Sequence, residues 1–416
     1  MWGRSFGLAL ALLATPPASA DCGRALLQRL GWSFQVAAVE SPQVHGGPVC
    51  TRASLPAAKA GGDLRVQVPA DLSPAGWQAL ERQLLDHPAN LCAYAFELGA
   101  AARRAAEALQ DNPGYRFSAL QMGWIGFGWQ GAAAQGWRRT ASFGRGYQPS
   151  AGNARAMDAF YHGHVRSECG VGRQVAQLAT QRELYGDAAF DAEFSPAELT
   201  IGTFNQLHGT DSILLGAQRG KLFADGKAVR TAAMGRQAFM GVPGFIEHAL
   251  GRETLDDLSN QAENFIVVDV GEQAAQALAA QGGFAAWDAR NAQLWTLSRQ
   301  LPRRGVAFFE RLLLQRDPAL RAALSPSQQE VARQMDALLD DPFYQQFLIY
   351  VHPRGIKPIG DHIVRLLDRN PRTPYVIELA MHNLHTTLYR RWQQAQLRSC
   401  AAARSGVPTY TTGPGP

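Results

Sequence analysis

Apolar and polar positions recur along this chain with two periods, and each period predicts its own elements. Residues 265–270, Phe-Ile-Val-Val-Asp-Val, are branched or aromatic almost without a break, which predicts a buried strand that Gly271 ends. Residues 272–280 then take helical spacing. Upstream, Cys92, Phe96, Leu98, Ala102, Ala105, Ala106 and Leu109 stripe one face of a helix over about 91–109, and Asp111-Asn112-Pro113-Gly114 stops it. Val171, Val175 and Leu178 fall at i, i+4 and i+7 in a helix running from Cys169 to about Tyr185, a stripe suited to packing on a sheet. Helices are also predicted over 73–85 and 151–161, with a short acidic one over 187–194.

The flanks read differently. Residues 21–87 form a mixed region, with a helix over 24–30 and short alternating strands over 33–39 and 64–68. From 285 onward helices are predicted over 287–299, 305–315, 327–339, 361–368 and 375–396, with prolines between them. The resulting division is 1–20 leader, 21–87 mixed region, 88–285 core, 286–404 helical C-terminal region and 405–416 disordered tail.

Composition narrows the class. Hydrophobic residues at 46% and charged residues at 18% suit a globular protein with a sizeable core. A net charge of +5, with no run of five like charges and no Lys/Arg stripe interleaved with aromatics, argues against nucleic acid as a partner. Arg4, the apolar run 6–14, Pro16-Pro17 and Ala18-Ser19-Ala20 follow the order of a secretory signal peptide, with cleavage expected after Ala20. No later stretch offers 18 unbroken apolar residues, so no stable membrane insertion is expected, and the mature protein should be periplasmic or secreted.

The five cysteines, Cys22, Cys50, Cys92, Cys169 and Cys400, then gain meaning, because thiols pair in an oxidising compartment. An odd number leaves at least one free or paired with another molecule. The local expectation joins Cys22 to Cys50 and leaves Cys92 for Cys400, although spacing alone does not determine connectivity. Cys169 is the one in a nucleophile-like setting: it follows Glu168 at a helix start, where the helix dipole favours a thiolate. The plain alternative is a buried structural cysteine. Glu263 stands just ahead of the apolar strand, a costly place for a carboxylate without a partner, or simply a solvated strand end.

Weaker candidates surround these. His162 and His164 precede the nucleophile-like cysteine, and His382 and His385 share a helix face at i, i+3 without an obvious third metal ligand. His352-Pro353-Arg354-Gly355 reads as a loop. The glycine-aromatic stretch 122–129 is a candidate groove lining, or simply a set of buried aromatics. No phosphate loop, dinucleotide fingerprint or Gly-x-Ser-x-Gly is present, so no cofactor or metal is assigned.

At two of these motifs the chain resembles the bacterial spore-coat transglutaminases, protein-glutamine gamma-glutamyltransferases related to NlpC/P60 hydrolases. Ser167-Glu168-Cys169-Gly170-Val171-Gly172 stands where that family has Phe-Glu-Cys-Ala-Thr-Ala. Ala262-Glu263-Asn264-Phe265-Ile266-Val267 resembles its Gly-Glu-Asn-Val-Ile-Val. Phe96-Glu97-Leu98, Arg116-Phe117-Ser118, Trp137-Arg138 and Phe190-Asp191-Ala192-Glu193-Phe194 have counterparts in the same order, over about residues 88–285.

The resemblance implies an α+β, papain-like core with the nucleophile helix packed on an antiparallel sheet, plus the helical C-terminal region as an addition. It implies Cys169 as nucleophile on a protein glutamine, Glu263 as general base and Glu168 as a supporting carboxylate. The partners would be protein substrates carrying glutamine and lysine, and the products isopeptide bonds or, with water, deamidated glutamine. The chain departs from the family in lacking a histidine just after the strand, where Val270-Gly271-Glu272-Gln273 stands. Two further readings stay open: an NlpC/P60-like amidase or peptidase on cell-wall peptides, and a non-enzymatic envelope binding protein with an inactive core.

Overall fold

The computed structural model describes residues 19–46, 64–117, 136–140, 146–202, 210–214, 239–248, 262–280, 284–302, 316–367, 375–379 and 388–405. The apolar run of the leader, Cys50, the stretch 122–129, the helix expected over 305–315, the His382–His385 pair and the tail from 406 lie outside them.

The strand expected at 265–270 is the centre of the architecture. It is β9 (Ala262–Val270), the middle of five strands in the order β11-β10-β9-β8-β12. Its partners are β8 (Pro243–His248), β10 (Phe347–Val351), β11 (Gly355–Pro358) and β12 (Tyr375–Leu379), all antiparallel. Ahead of this sheet come α1 (Ser19–Arg29), β1 (Ser33–Val36), β2 (Gln43–His45), β3 (Arg65–Val68), α2 (Pro74–Leu85) and α3 (Ala89–Gln110). Strands β4 (Tyr115–Phe117), β5 (Trp137–Arg139) and β6 (Tyr147–Pro149), helix α4 (Asn153–His162), β7 (Val165–Ser167), α5 (Cys169–Tyr185) and α6 (Asp187–Glu193) follow. Between β9 and β10 lie α7 (Glu272–Ala280), α8 (Phe284–Ser298), α9 (Pro318–Ala322), α10 (Pro326–Leu339) and α11 (Pro342–Gln346); α12 (Ile359–Leu367) and α13 (Tyr389–Ser405) come later.

The pleat of β9 explains why its run is apolar throughout, since successive side chains enter different cores. Ile266 and Val268 join the core that includes residues of α3 and α5. Phe265, Val267 and Val270 join a second core with α7, α8, α10, α11 and α12. β10 behaves alike, with Tyr350 in the first core and Phe347, Ile349 and Val351 in the second. The sheet is therefore the middle of three layers, and the class is α+β.

This corrects the expectation of a helical C-terminal region. The helices near 287–299, 327–339 and 361–368 are present, but 286–404 also contains β10, β11 and β12. Residues 375–379, expected as helix, form β12 instead. Apolar runs of five residues carry no period that separates a strand from a helix turn, and pairing with β8 decides the matter.

The first and last of the described helices meet. Cys22 on α1 is disulfide-bonded to Cys400 on α13, and Cys92 is also disulfide-bonded, so the expected Cys22–Cys50 and Cys92–Cys400 pairs are replaced. The reason is tertiary: α1 and α13 pack on each other, a proximity that sequence distance hides. Arg29 of α1 strengthens the joint by donating to Gln396 at 2.8 Å and to Glu97 of α3 at 3.3 Å. Among the described residues, no helix is long and apolar enough to cross a membrane.

Burial of two histidines sets an acid response. His362 on α12 is fully buried and neither ring nitrogen has a hydrogen-bond partner. Burial first, and Lys357 second, hold it down to about 3. His352, beyond the end of β10, is held down to about 4, chiefly by burial. Both are neutral when folded and bind a proton more readily when unfolded. Their contribution is complete above the ordinary histidine value and is lost as pH falls from about 6.5 toward 4. Each should remove about 1.4 kcal/mol per pH unit in that window. Urea midpoints between pH 7 and 4.5 test this: His362→Leu should flatten the slope, and an unchanged slope would discard the assignment.

Candidate active site

Cys169 is the first residue of α5, and the residue before it explains why the helix starts there. Glu168 is extended (φ −76, ψ 170) and its carboxylate accepts from the backbone N–H groups of Gly170 and Val171, each at 2.7 Å. It is thus the helix N-cap, satisfying donors that have no partner within the helix. The preceding Ser167 is buried and bonded at 2.7 Å to the hydroxyl of Tyr115, and β7 pairs in parallel with β4. Val171, Val175 and Leu178 bury the expected apolar stripe against the sheet.

The thiol is free and half-buried. Its contact from β9 comes from Asn264, whose Nδ2 lies 3.5 Å from Sγ. The pleat puts Asn264 in line with Ile266 and Val268, on the side of α5, whereas Glu263 falls in line with Phe265 and Val267. Glu263 is buried, 6% exposed, and its Oε1 lies 3.9 Å from an Arg354 nitrogen. The carboxylate at the strand end therefore has a cation beside it.

These surroundings reverse the expected ionisation. Burial pushes the Cys169 thiol up to about 11, Glu168 and Glu263 push the same way, and the two bonds from Asn264 oppose them. The helix dipole alone suggests a thiolate, but desolvation and two carboxylates outweigh it. The resting side chain is a protonated thiol.

A histidine absent from the sequence motif is brought in by the fold. Continuing the β9–β10 register past Tyr350↔Ile266 carries His352 toward Asn264. A Cβ on Gly172, in the first turn of α5, would sit 2.3 Å from the Cβ of His352, so only glycine lets the two elements approach this closely. The His352 ring stacks on Tyr115 with centroids 3.8 Å apart. It also has hydrogen bonds with the backbone of Arg116 and Ser167, the former at 3.3 Å from Nε2. The ring is neutral and is directed at backbone groups rather than held in the open. Beside it opens a pocket of about 300 Å³ lined by Tyr115, Arg116, Phe117, Tyr350, His352 and Pro353.

Of the other candidates, His162 and His164 are exposed and precede β7, at the opposite end of that strand from Cys169. Among the described residues no group of three His, Cys, Asp or Glu is arranged to hold a metal ion. Comparison with family models, curated proteins and solved structures found no match to this chain.

Sequence reading missed His352 because α7 to α11 separate β9 from β10, so its neighbourhood to Cys169 is not a matter of spacing. The usable signal was the run Phe347-Leu348-Ile349-Tyr350-Val351 ending one residue before it. Asn264 lay inside the motif, and the period-two rule would have assigned it to the helix side.

Proposed function

We propose that the protein is an exported cysteine acyltransferase of transglutaminase type, acting on the side-chain amide of a protein glutamine. The observation that carries the reading is Cys169 at the start of α5, set against Asn264 at the head of the central strand. This supports a papain-like arrangement of nucleophile helix on antiparallel sheet. Sγ attacks the glutamine carboxamide carbon, and the thiol proton reaches Glu263 through a solvent molecule, since that carboxylate lines up with the other face of β9. The Asn264 amide and the helix N-terminus favour negative charge on the carboxamide oxygen. Collapse breaks the C–N bond, the proton goes to the leaving nitrogen, ammonia departs and a thioester remains. A lysine amine then forms the isopeptide bond and frees the thiol; water in its place produces glutamate.

A buried thiol near 11 is a weak nucleophile at neutral pH, so proton removal accompanies attack rather than preceding it.

A second reading is favoured by His352 alone. A neutral imidazole lodged against the first turn of the nucleophile helix suits an amidase or peptidase of the NlpC/P60 kind, with water as the acceptor. Ammonia release and incorporation of a labelled primary amine into a glutamine-containing protein test both readings. The transglutaminase reading expects both signals in the wild type, and loses at least about a thousandfold of each in Cys169→Ala and about a hundredfold in Glu263→Gln. Signals undiminished in Cys169→Ala discard it. Cleavage of wall peptides without amine incorporation, abolished by His352→Gln, selects the hydrolase.

A further inference from the structure

The pocket of about 300 Å³ beside His352 has a floor and a rim of different chemistry. Its buried lining is aromatic: Tyr115 stacks on His352, and Tyr350 is 1% exposed. The Tyr350 hydroxyl makes no hydrogen bond among the described residues, although a buried hydroxyl ordinarily has a partner. Arg116 and Phe117 form the exposed rim. Among the described lining residues Arg116 carries the charge, since His352 is neutral. Its Nε donates to the Pro113 carbonyl at 3.3 Å, which holds the stem, and no carboxylate pairs with its guanidinium among the described residues. Arg354, by contrast, faces Glu263. Arg166, also exposed, is the register partner of Arg116 across the β4–β7 ribbon, so two arginines stand side by side. Like charges so placed are mutually unfavourable, and an anion beside them relieves this. Phe117, 39% exposed, offers an apolar contact at the same rim.

The ribbon also fixes how far this pocket lies from the thiol. Phe117 is opposite Ser167, two residues before Cys169. Adjacent strands lie about 4.8 Å apart and two residues of chain span at most about 7 Å, so the rim lies within roughly 12 Å of the Cys169 backbone. An extended peptide covers that distance in about three residues. We propose that this pocket is a substrate subsite for a glutamate or aspartate side chain about three residues from the reacting glutamine. Arg116 meets the carboxylate at the rim, and the Tyr350 hydroxyl donates to it from the floor. The subsite deepens the transglutaminase reading and rests on it for the neighbouring glutamine.

Three peptides test it, acetyl-X-Ala-Ala-Gln-Ala-Ala-X-amide, with glutamate, alanine or lysine at both X positions so that either chain direction is covered. Binding is measured on full-length oxidised Cys169→Ala, and labelled-amine incorporation on the wild type. The glutamate peptide should bind about tenfold more tightly than the alanine peptide, and the lysine peptide more weakly than either. Arg116→Gln should erase that difference and Arg116→Lys should restore part of it. Tyr350→Phe, which keeps the ring, should lose about threefold of the glutamate peptide's affinity. Peptides that bind alike overturn the proposal, as does an Arg116→Gln variant that keeps the preference. An unaffected Tyr350→Phe overturns it too, because the carboxylate would then stay outside the pocket. Incorporation into all three peptides without preference sinks the subsite and leaves the reaction standing. A glutamate preference in binding with no incorporation sinks the reaction and leaves a carboxylate site.

Discussion

Replacing Trp392 with alanine should cost about 3–5 kcal/mol of stability, the range for truncating a fully buried indole. Trp392 on α13 is 0% exposed. Its ring tilts against Tyr94 at 5.3 Å and Tyr389 at 6.3 Å, and the Arg29 guanidinium lies over it at 5.5 Å. Tyr94 belongs to α3, the helix that packs with α5 against β9, so the cavity would open beside the helix that carries Cys169. Nε1 of Trp392 has no hydrogen-bond partner, so Trp392→Phe sacrifices ring volume but no polar contact. Its cost should be less than half that of the alanine variant. Denaturant midpoints decide this; an alanine variant within about 1 kcal/mol of wild type would mean that α13 is not integral to the core.

Removing the Cys22–Cys400 bond is the second large effect. The link spans a sequence separation of 378, and long closures restrict the unfolded chain most in the entropy model. Cys22→Ser with Cys400→Ser should lower stability by about 2–5 kcal/mol, part of it from leaving a hydroxyl in the buried place of Cys22. Reductant should lower the wild-type midpoint further than the variant's, with the residual shift in the variant reporting the other bonded cysteine, Cys92. Equal shifts in both would show that the α1–α13 bond contributes nothing. A bond of this kind is maintained in an oxidising compartment, which fits the export expected from residues 1–20.

The two effects concern the same joint, and they bear on the site through α3. That helix contacts α5 and β9 at once, so loosening the terminal clamp should be felt at the thiol as well as in the melt. Alkylation of Cys169 in the double serine variant would register that coupling.

Much of the site's local chemistry was legible in the residues. A carboxylate before a cysteine, with small residues after it and an apolar i, i+4, i+7 stripe behind, predicts a helix beginning at Cys169, and α5 begins there. A branched run after Glu263 predicts a buried strand, and β9 is one. Both are short-range effects, set by capping and by packing periodicity within a few residues. The ionisation state was not legible. It depends on how far the thiol is removed from water and on how close two carboxylates come, and both are distances across elements.

By itself, then, the sequence determined where the helix of Cys169 and the central strand start, and that five cysteines cannot all pair within one chain. The tertiary structure alone decided that α1 and α13 share a disulfide and that residues 347–351, 355–358 and 375–379 complete the sheet. It also decided that Asn264 rather than Glu263 meets the thiol, and that His352 arrives against Gly172. The reason is the same in each case. Periodicity and caps act within a turn or a pleat, whereas strand pairing and helix packing join residues that spacing along the chain does not relate.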